Sequence, residues 1–217
     1  MEQRPRVVLL SLDLKDWFDE MYMPHLNKLM ANARVQRVKT AKSAIELLSD
    51  ECPPQAVLVT DSALAEDDKG KVYDALLAYV RQGGTAVFMG HFPSFIRPDN
   101  MQKLFARAGL PWKAASYHRT TFALNKETVG TALAARLPAT YNQKAVSVGN
   151  VRSEEAWYRS TEDSVIESRV FSPDPAFEPT AAPVAVGKVE NGRLGYIGDV
   201  NAEDEMGDVM LAMCGLL

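Results

Sequence analysis

Four residues stand where an apolar run gives out and a loop begins: Asp13, Asp61, His91 and Asp199. If the preceding runs are strands of one open α/β sheet, these side chains gather at its carboxyl edge. Sheets of this kind bind ligands there. A carboxylate beside an imidazole can take up and return a proton. His91 with Asp61 is then the acid–base pair, and Asp13, Trp17, Phe92 and Asp199 are ligand contacts around it. The same positions suit plainer work. Strand-end aspartates cap the next helix or hold a loop amide, and His91 can brace or line its turn. Gly90 before His91 makes a sharp strand-to-loop turn, a place where nucleophiles are carried.

Other constellations carry less. Ser94 follows His91 by three positions, but nothing else in the sequence fixes the two as a hydrolytic pair. In Tyr117-His118-Arg119, strand alternation sends Tyr117 and Arg119 to one face and His118 to the other. That segment either lines a pocket or is an ordinary half-exposed strand. Asp199, Glu203, Asp204, Glu205 and Asp208 form an acidic run at a helix start, where carboxylates suit the helix dipole better than a metal. Asp13 and Asp61 also sit where receiver domains hold Mg²⁺ and the phosphorylated carboxylate. However, Leu12 replaces the second acid before Asp13, no Ser or Thr ends the fourth strand, and no Lys ends a fifth.

The three histidines are scattered and the two cysteines, Cys52 and Cys214, have no metal or redox spacing. No GxGxxG or phosphate loop is present. The expectation is therefore no metal and no cofactor. Trp17, Phe18 and Tyr22 crowd a segment too apolar to stand free. They form a ligand-stacking lid, a subunit contact in a homo-oligomer, or packing for the chain's own core.

The elements that position these residues alternate through the first half. Residues 6–12, 35–38, 56–60 and 85–89 read as strands, and residues 24–33, 41–49, 71–82 and 101–108 as helices. Pro53-Pro54 stops the second helix. Gly83-Gly84 closes the third through a left-handed cap, and Asp99 is placed to cap the fourth. Near-continuous apolar strands between helices imply a parallel sheet covered on both faces. The second half adds strands at 116–124, 144–151 and 156–160, then a loop at 172–183 holding four prolines. A hairpin follows, with strands at 184–188 and 193–200 joined through Glu190-Asn191-Gly192, since Asn-Gly accepts positive φ. A helix at 205–216 ends the chain.

The fold class is thus α/β: a three-layer, flavodoxin-like parallel sheet with an antiparallel C-terminal extension, in one domain over 1–217. The chain has 217 residues, with 24 Lys and Arg against 28 Asp and Glu, a net charge of −4, and 47% hydrophobic residues. Mild acidity without clustered cations argues against nucleic acid as partner. No stretch approaches the roughly 18 apolar residues of a membrane helix. The apolar run at 7–10 is too short for a signal-peptide core. With two unpaired thiols, this suits a reducing, cytoplasmic setting.

One stretch carries a resemblance. Tyr79-Val80-Arg81-Gln82-Gly83-Gly84-Thr85-Ala86-Val87-Phe88-Met89-Gly90, a helix, Gly-Gly, and an apolar strand entering a turn, resembles the class I glutamine amidotransferase-like superfamily. Within it the chain is most similar to the ThuA-like and β-galactosidase middle-domain branch. Val184-Ala185-Val186-Gly187-Lys188 and Asn191-Gly192-Arg193-Leu194-Gly195-Tyr196-Ile197-Gly198-Asp199 look like that branch's closing hairpin. The pattern of elements covers most of residues 5–217. The resemblance implies a Cys nucleophile in the turn, because a thiolate at a helix N-terminus is competent. This chain has Gly90-His91-Phe92-Pro93-Ser94 instead, and no His-x-Glu follows. The expectation is a non-glutaminase domain binding a small polar, carbohydrate-related ligand at the strand ends. The alternative is a hydrolase or isomerase using His91 as acid and base, with Asp13 or Asp61 orienting it or holding a metal.

Overall fold

The computed structural model describes residues 4–168, 170 and 172–217. Strand β1 (Arg6–Leu10) leads to helix α1 (Phe18–Asn32), β2 (Arg34–Val38), α2 (Ala41–Leu48) and β3 (Ala56–Val59). Two short 3-10 turns precede α3 (Gly70–Arg81), β4 (Thr85–Phe88), the one-turn α4 (Phe92–Phe95) and α5 (Pro98–Arg107). Then come β5 (Lys113–Leu124), the short α6 (Lys126–Val129) and α7 (Thr131–Ala134), β6 (Thr140–Gly149) and β7 (Ala156–Arg159). The hairpin β8 (Val184–Val189) and β9 (Gly192–Ile197) precedes α8 (Met206–Met213).

The nine strands of the described residues share one sheet, ordered β2-β1-β3-β4-β9-β8-β7-β5-β6. β2, β1, β3, β4 and β9 run parallel. β8, β7, β5 and β6 continue antiparallel. The strand order 2-1-3-4 followed by a fifth parallel strand is the flavodoxin-like arrangement. Here β9, late in the chain, fills the fifth place. Alternation explains the apolar strands. Val8 and Leu10 pack with Ala44, Leu76 and Phe105 of α2, α3 and α5 on one face. Val7 and Leu9 pack with Phe18, Leu29 and Met210 of α1 and α8 on the other. With both faces covered, every second residue is not released to water.

The structure moves several boundaries. The first helix starts at Phe18, not Pro24. Phe18, Tyr22, His25 and Leu29 are all buried, and their 4-3-4 spacing makes one face that outweighs the donor lost at Pro24. Helix α5 starts at Pro98, where a fixed φ suits the first turn. Asp99 lies in that turn and does not cap it. β6 starts four residues early because Tyr141 is fully buried and anchors it. The β8–β9 hairpin forms, but the positive φ falls on Glu190 (+51°), not on Asn191 or Gly192. Gly192 is needed for another reason: a Cβ there would stand 2.0 Å from the Val80 carbonyl oxygen and 2.3 Å from that of Gly84.

Candidate functional site

The parallel strands bring Asp13, Asp61, His91 and Asp199 to one edge, as the alternation of elements required. What each side chain does there differs. Asp61 Oδ2 accepts from the Asp13 amide at 3.0 Å and Oδ1 from the Ala63 amide at 3.1 Å. It caps the 3-10 turn after β3 and ties the end of β1 to the end of β3. Burial, followed by the nearby Asp13 charge, pushes its carboxyl above the usual range against those amides. Asp13 itself is exposed and pairs with Lys15 at 2.8 Å.

His91 is 4% exposed. Gly90, at φ +67°, turns the chain so that the His91 amide donates to the Thr60 carbonyl at 2.9 Å. The ring enters a box of aromatic side chains. Its centroid lies 5.1 Å from Phe18, 5.6 Å from Tyr22, 5.5 Å from Phe95 and 5.8 Å from Trp17. Nε2 is buried without a hydrogen-bond partner among the described residues. Burial, then the Lys15 charge, lowers its pKa, so the neutral imidazole is favoured. No hydrogen bond joins His91 to Asp61, whose oxygens are held by amides. Nor does one join it to Ser94, which is exposed on α4.

Asp199 is fully buried. It accepts from Tyr141 Oη at 2.6 Å, the Asn201 amide at 2.8 Å and the Glu203 amide at 2.8 Å. Burial dominates and raises its pKa against all three donors. Its charge reaches the Tyr22 hydroxyl, which burial already holds well above the ordinary tyrosine range. Tyr22 Oη has no partner among the described residues, and neither do Oε1 and Nε2 of the fully buried Gln143. Gln143 stands between Tyr141 and Ala145 on one face of β6, and Ala145 bridges to Asp199. Tyr22, whose ring lies 5.6 Å from that of His91, and Gln143, flanked on its face of β6 by two residues that meet Asp199, thus carry unpartnered polar atoms on α1, the β4 turn and β6. His25 Nδ1, Arg37 Nε and His118 Nε2 are likewise unpartnered among the described residues. Buried polar atoms of folded chains are nearly always paired.

Trp17 and Phe95 flank this cluster and are half-exposed, at 51% and 49%. Lys15 lies 6.0 Å above the Phe95 ring. Phe92, expected as a ligand contact, is buried in the core instead, 4.7 Å from Phe88 and 6.4 Å from Tyr196. Phe18 and Tyr22 pack on the core as well, stacked at 4.6 Å, so of the three aromatics only Trp17 is free to cover a ligand. Sequence reasoning missed Gln143 and Phe95. The signal for Gln143 was a polar residue between Tyr141 and Ala145 on an alternating apolar face.

The thiols are elsewhere. Cys52 is exposed before β3. Cys214 is buried after α8, and burial pushes its thiol up to about 12. The Cys214 carbonyl accepts from Gln55 at 3.3 Å, which places it at the amino edge of the sheet. Among the described residues no group of three His, Cys, Asp or Glu side chains gathers as a metal site. No helix among the described residues is long and apolar enough to cross a membrane.

No protein-family model and no curated protein matches the sequence. Solved structures match the fold. A ThuA-like protein of Bacteroides uniformis superposes with a TM-score of 0.58 at 11% identity, over 96% of this chain and 89% of that one. One from Parabacteroides merdae gives 0.56 at 12% identity, over 99% and 89%. β-Galactosidase of Bacillus circulans gives 0.59 at 10% identity, over 98% of this chain but 31% of its own length. At such identities the likeness concerns the fold alone, and at that level it bears out the resemblance read in the sequence: this chain has the fold of the ThuA-like proteins.

Proposed function

We propose that this chain is a non-glutaminase, amidotransferase-like domain that binds a small polar ligand at the carboxyl edge of its parallel strands, in a cytoplasmic setting. The observation that carries the proposal is the set of buried, unpartnered groups on the carboxyl-edge elements, Tyr22 Oη, His91 Nε2 and the Gln143 amide. Together they offer a hydroxyl, a neutral imidazole nitrogen and an amide with both donor and acceptor. A polyhydroxylated ligand matches those groups chemically and reaches them by parting the Trp17 and Phe95 side chains, since each atom is closed to solvent. The exposed Trp17 and Phe95 rings give apolar faces on which a sugar ring stacks. One structural neighbour is a β-galactosidase, which adds carbohydrates to the ligands worth testing. The turn that would hold a nucleophile presents His91, and the Cys214 thiol is both buried and raised to about 12. Both points favour binding without glutamine hydrolysis.

An enzyme using His91 with Asp61 needs those two groups to meet, and here Asp61 serves two amides. A thermal-shift screen against galactose, glucose, free amino acids, Mg²⁺ and Zn²⁺ tests the proposal. A saturable rise in Tm with a sugar or amino acid, lost in Trp17→Ala, is expected. No shift with any of them contradicts a small-ligand role. Turnover of a ligand that disappears in His91→Ala would favour the enzyme.

A further inference from the structure

A second cleft lies at the opposite end of the sheet. It holds about 870 Å³ at the amino edge, between the segment 53–55 before β3, the β8–β9 hairpin and the α6–α7 segment. Val186 and Trp157 line it with Thr85, Asn191, Lys188 and Arg193. Two features of this cleft are physically unusual together. Lys188 and Arg193 are directly paired across β8 and β9, so two cations share one face at the same level. Like charges placed opposite each other destabilise a strand pair. The local acids do not relieve it: Glu190 pairs with Arg81 at 3.1 Å, and Glu154, which also lines the cleft, pairs with Arg152 at 3.5 Å. Among the described residues, neither Lys188 nor Arg193 makes an ion pair with a carboxylate.

Arg193 is also held in place. Its Nε donates to Thr85 Oγ1 at 3.1 Å, which leaves the rest of the guanidinium fork available. A fixed fork is the geometry that takes up a carboxylate or phosphate through two hydrogen bonds. Lys188 adds a mobile second charge, and the Asn191 side chain an amide donor.

We propose that this cleft is a second binding site, for a small organic oxyanion. Its carboxylate or phosphate group lies between Lys188 and Arg193, and its body rests toward Val186 and Trp157. The site is independent of the carboxyl-edge cluster and shares no residue with it. An anion there converts a repulsive pair into a bridged one, so occupancy stabilises the fold by linkage.

Amide chemical shifts and Tm, measured while titrating sodium phosphate or sodium benzoate against sodium chloride of equal ionic strength, test this. Saturable shifts centred on residues 186–193 with phosphate or benzoate, and none with chloride, are expected. Benzoate is expected to bind tighter than phosphate, because the organic body is recognised as well as the head group; phosphate binding equally or more tightly overturns the organic part of the proposal. Lys188→Gln, an exposed and structurally safe change, should weaken binding at least tenfold and raise the Tm of the anion-free protein. Arg193→Lys keeps the charge, loses the fork, and should weaken binding less than Lys188→Gln combined with it. A Lys188→Gln protein that titrates like wild type, or shifts seen equally with chloride, overturns the proposal.

Discussion

At the carboxyl edge of the parallel strands, His91 Nε2, Tyr22 Oη and the Gln143 amide are enclosed without partners. At the amino edge the backbone itself is packed tight, with Gly192 wedged against the Val80 and Gly84 carbonyls, and the open space lies beside it. One edge is closed around unmet polar atoms, while the other is open around unmet charge. The two edges take their rigidity from different sources. The amino edge is held by backbone contacts and by the Tyr79 hydroxyl, which accepts from the Thr85 amide at 3.2 Å and donates to the Pro54 carbonyl at 3.0 Å. The carboxyl edge is held by Asp61 and Asp199, each bonding loop amides. It carries a stability cost that an apolar cluster would not, and such costs are typical of functional positions.

The amino edge is most sensitive to substitution at Gly192. Gly192→Ala places a methyl inside two carbonyl contact distances. It should cost about 3 kcal/mol or more, measured by urea denaturation, and a neutral result would mean that the amino edge yields. Asp199→Ala comes next. It strands the Tyr141 hydroxyl and the Asn201 and Glu203 amides, at an expected cost of about 2–3 kcal/mol. A loss under about 0.5 kcal/mol would show that the carboxyl edge is not anchored there.

His91→Leu sharpens the contrast with the opposite sign. Removing a buried, unpartnered nitrogen should stabilise by about 1 kcal/mol at neutral pH. The pH dependence follows from the lowered pKa of His91. The unfolded chain takes up its proton first, near pH 6.5. The His91 contribution to stability is therefore full above that pH and is lost as pH falls toward the lower folded pKa. Asp61 and Asp199, with raised values, act oppositely. Their contribution is full below the unfolded carboxylate range and is lost as pH rises through the folded one. His91→Leu should flatten the slope of stability just below pH 6.5 and leave the acid limb unchanged. Trp17→Ala is the smallest change. At a half-exposed position it should alter stability by no more than about 0.5 kcal/mol, and a larger loss would assign Trp17 to the core.

Much of the fold was legible because strand and helix periods alternate cleanly from Val7 to Arg107. The order of the last strands was not, since β9 enters beside β4 from more than a hundred residues away. The Gly-Gly after α3 behaved as its backbone demands, with Gly83 at φ +112°. Gly192 looked like a turn glycine, but its need arises from tertiary contact that no local pattern records. The strand-end rule put Asp61, His91 and Asp199 at the carboxyl edge, where the folded chain carries them. It could not tell a capping aspartate from a reacting one, because that depends on which amides fold back onto it. Gln143 and Phe95 lay beyond it because they arrive from β6 and α4. Phe92 was misplaced because a one-turn helix rotates it into the core while Phe95, three positions on, reaches the surface.

Gln143→Leu most directly tests whether the carboxyl edge is built for a ligand. The substitution replaces a fully buried, unpartnered amide by an apolar side chain of similar size. It should raise the Tm of the ligand-free protein by about 3 °C and abolish the sugar or amino-acid response of the wild type. A protein that melts lower than wild type without ligand, or that responds to the same ligand unchanged, would contradict the proposed site.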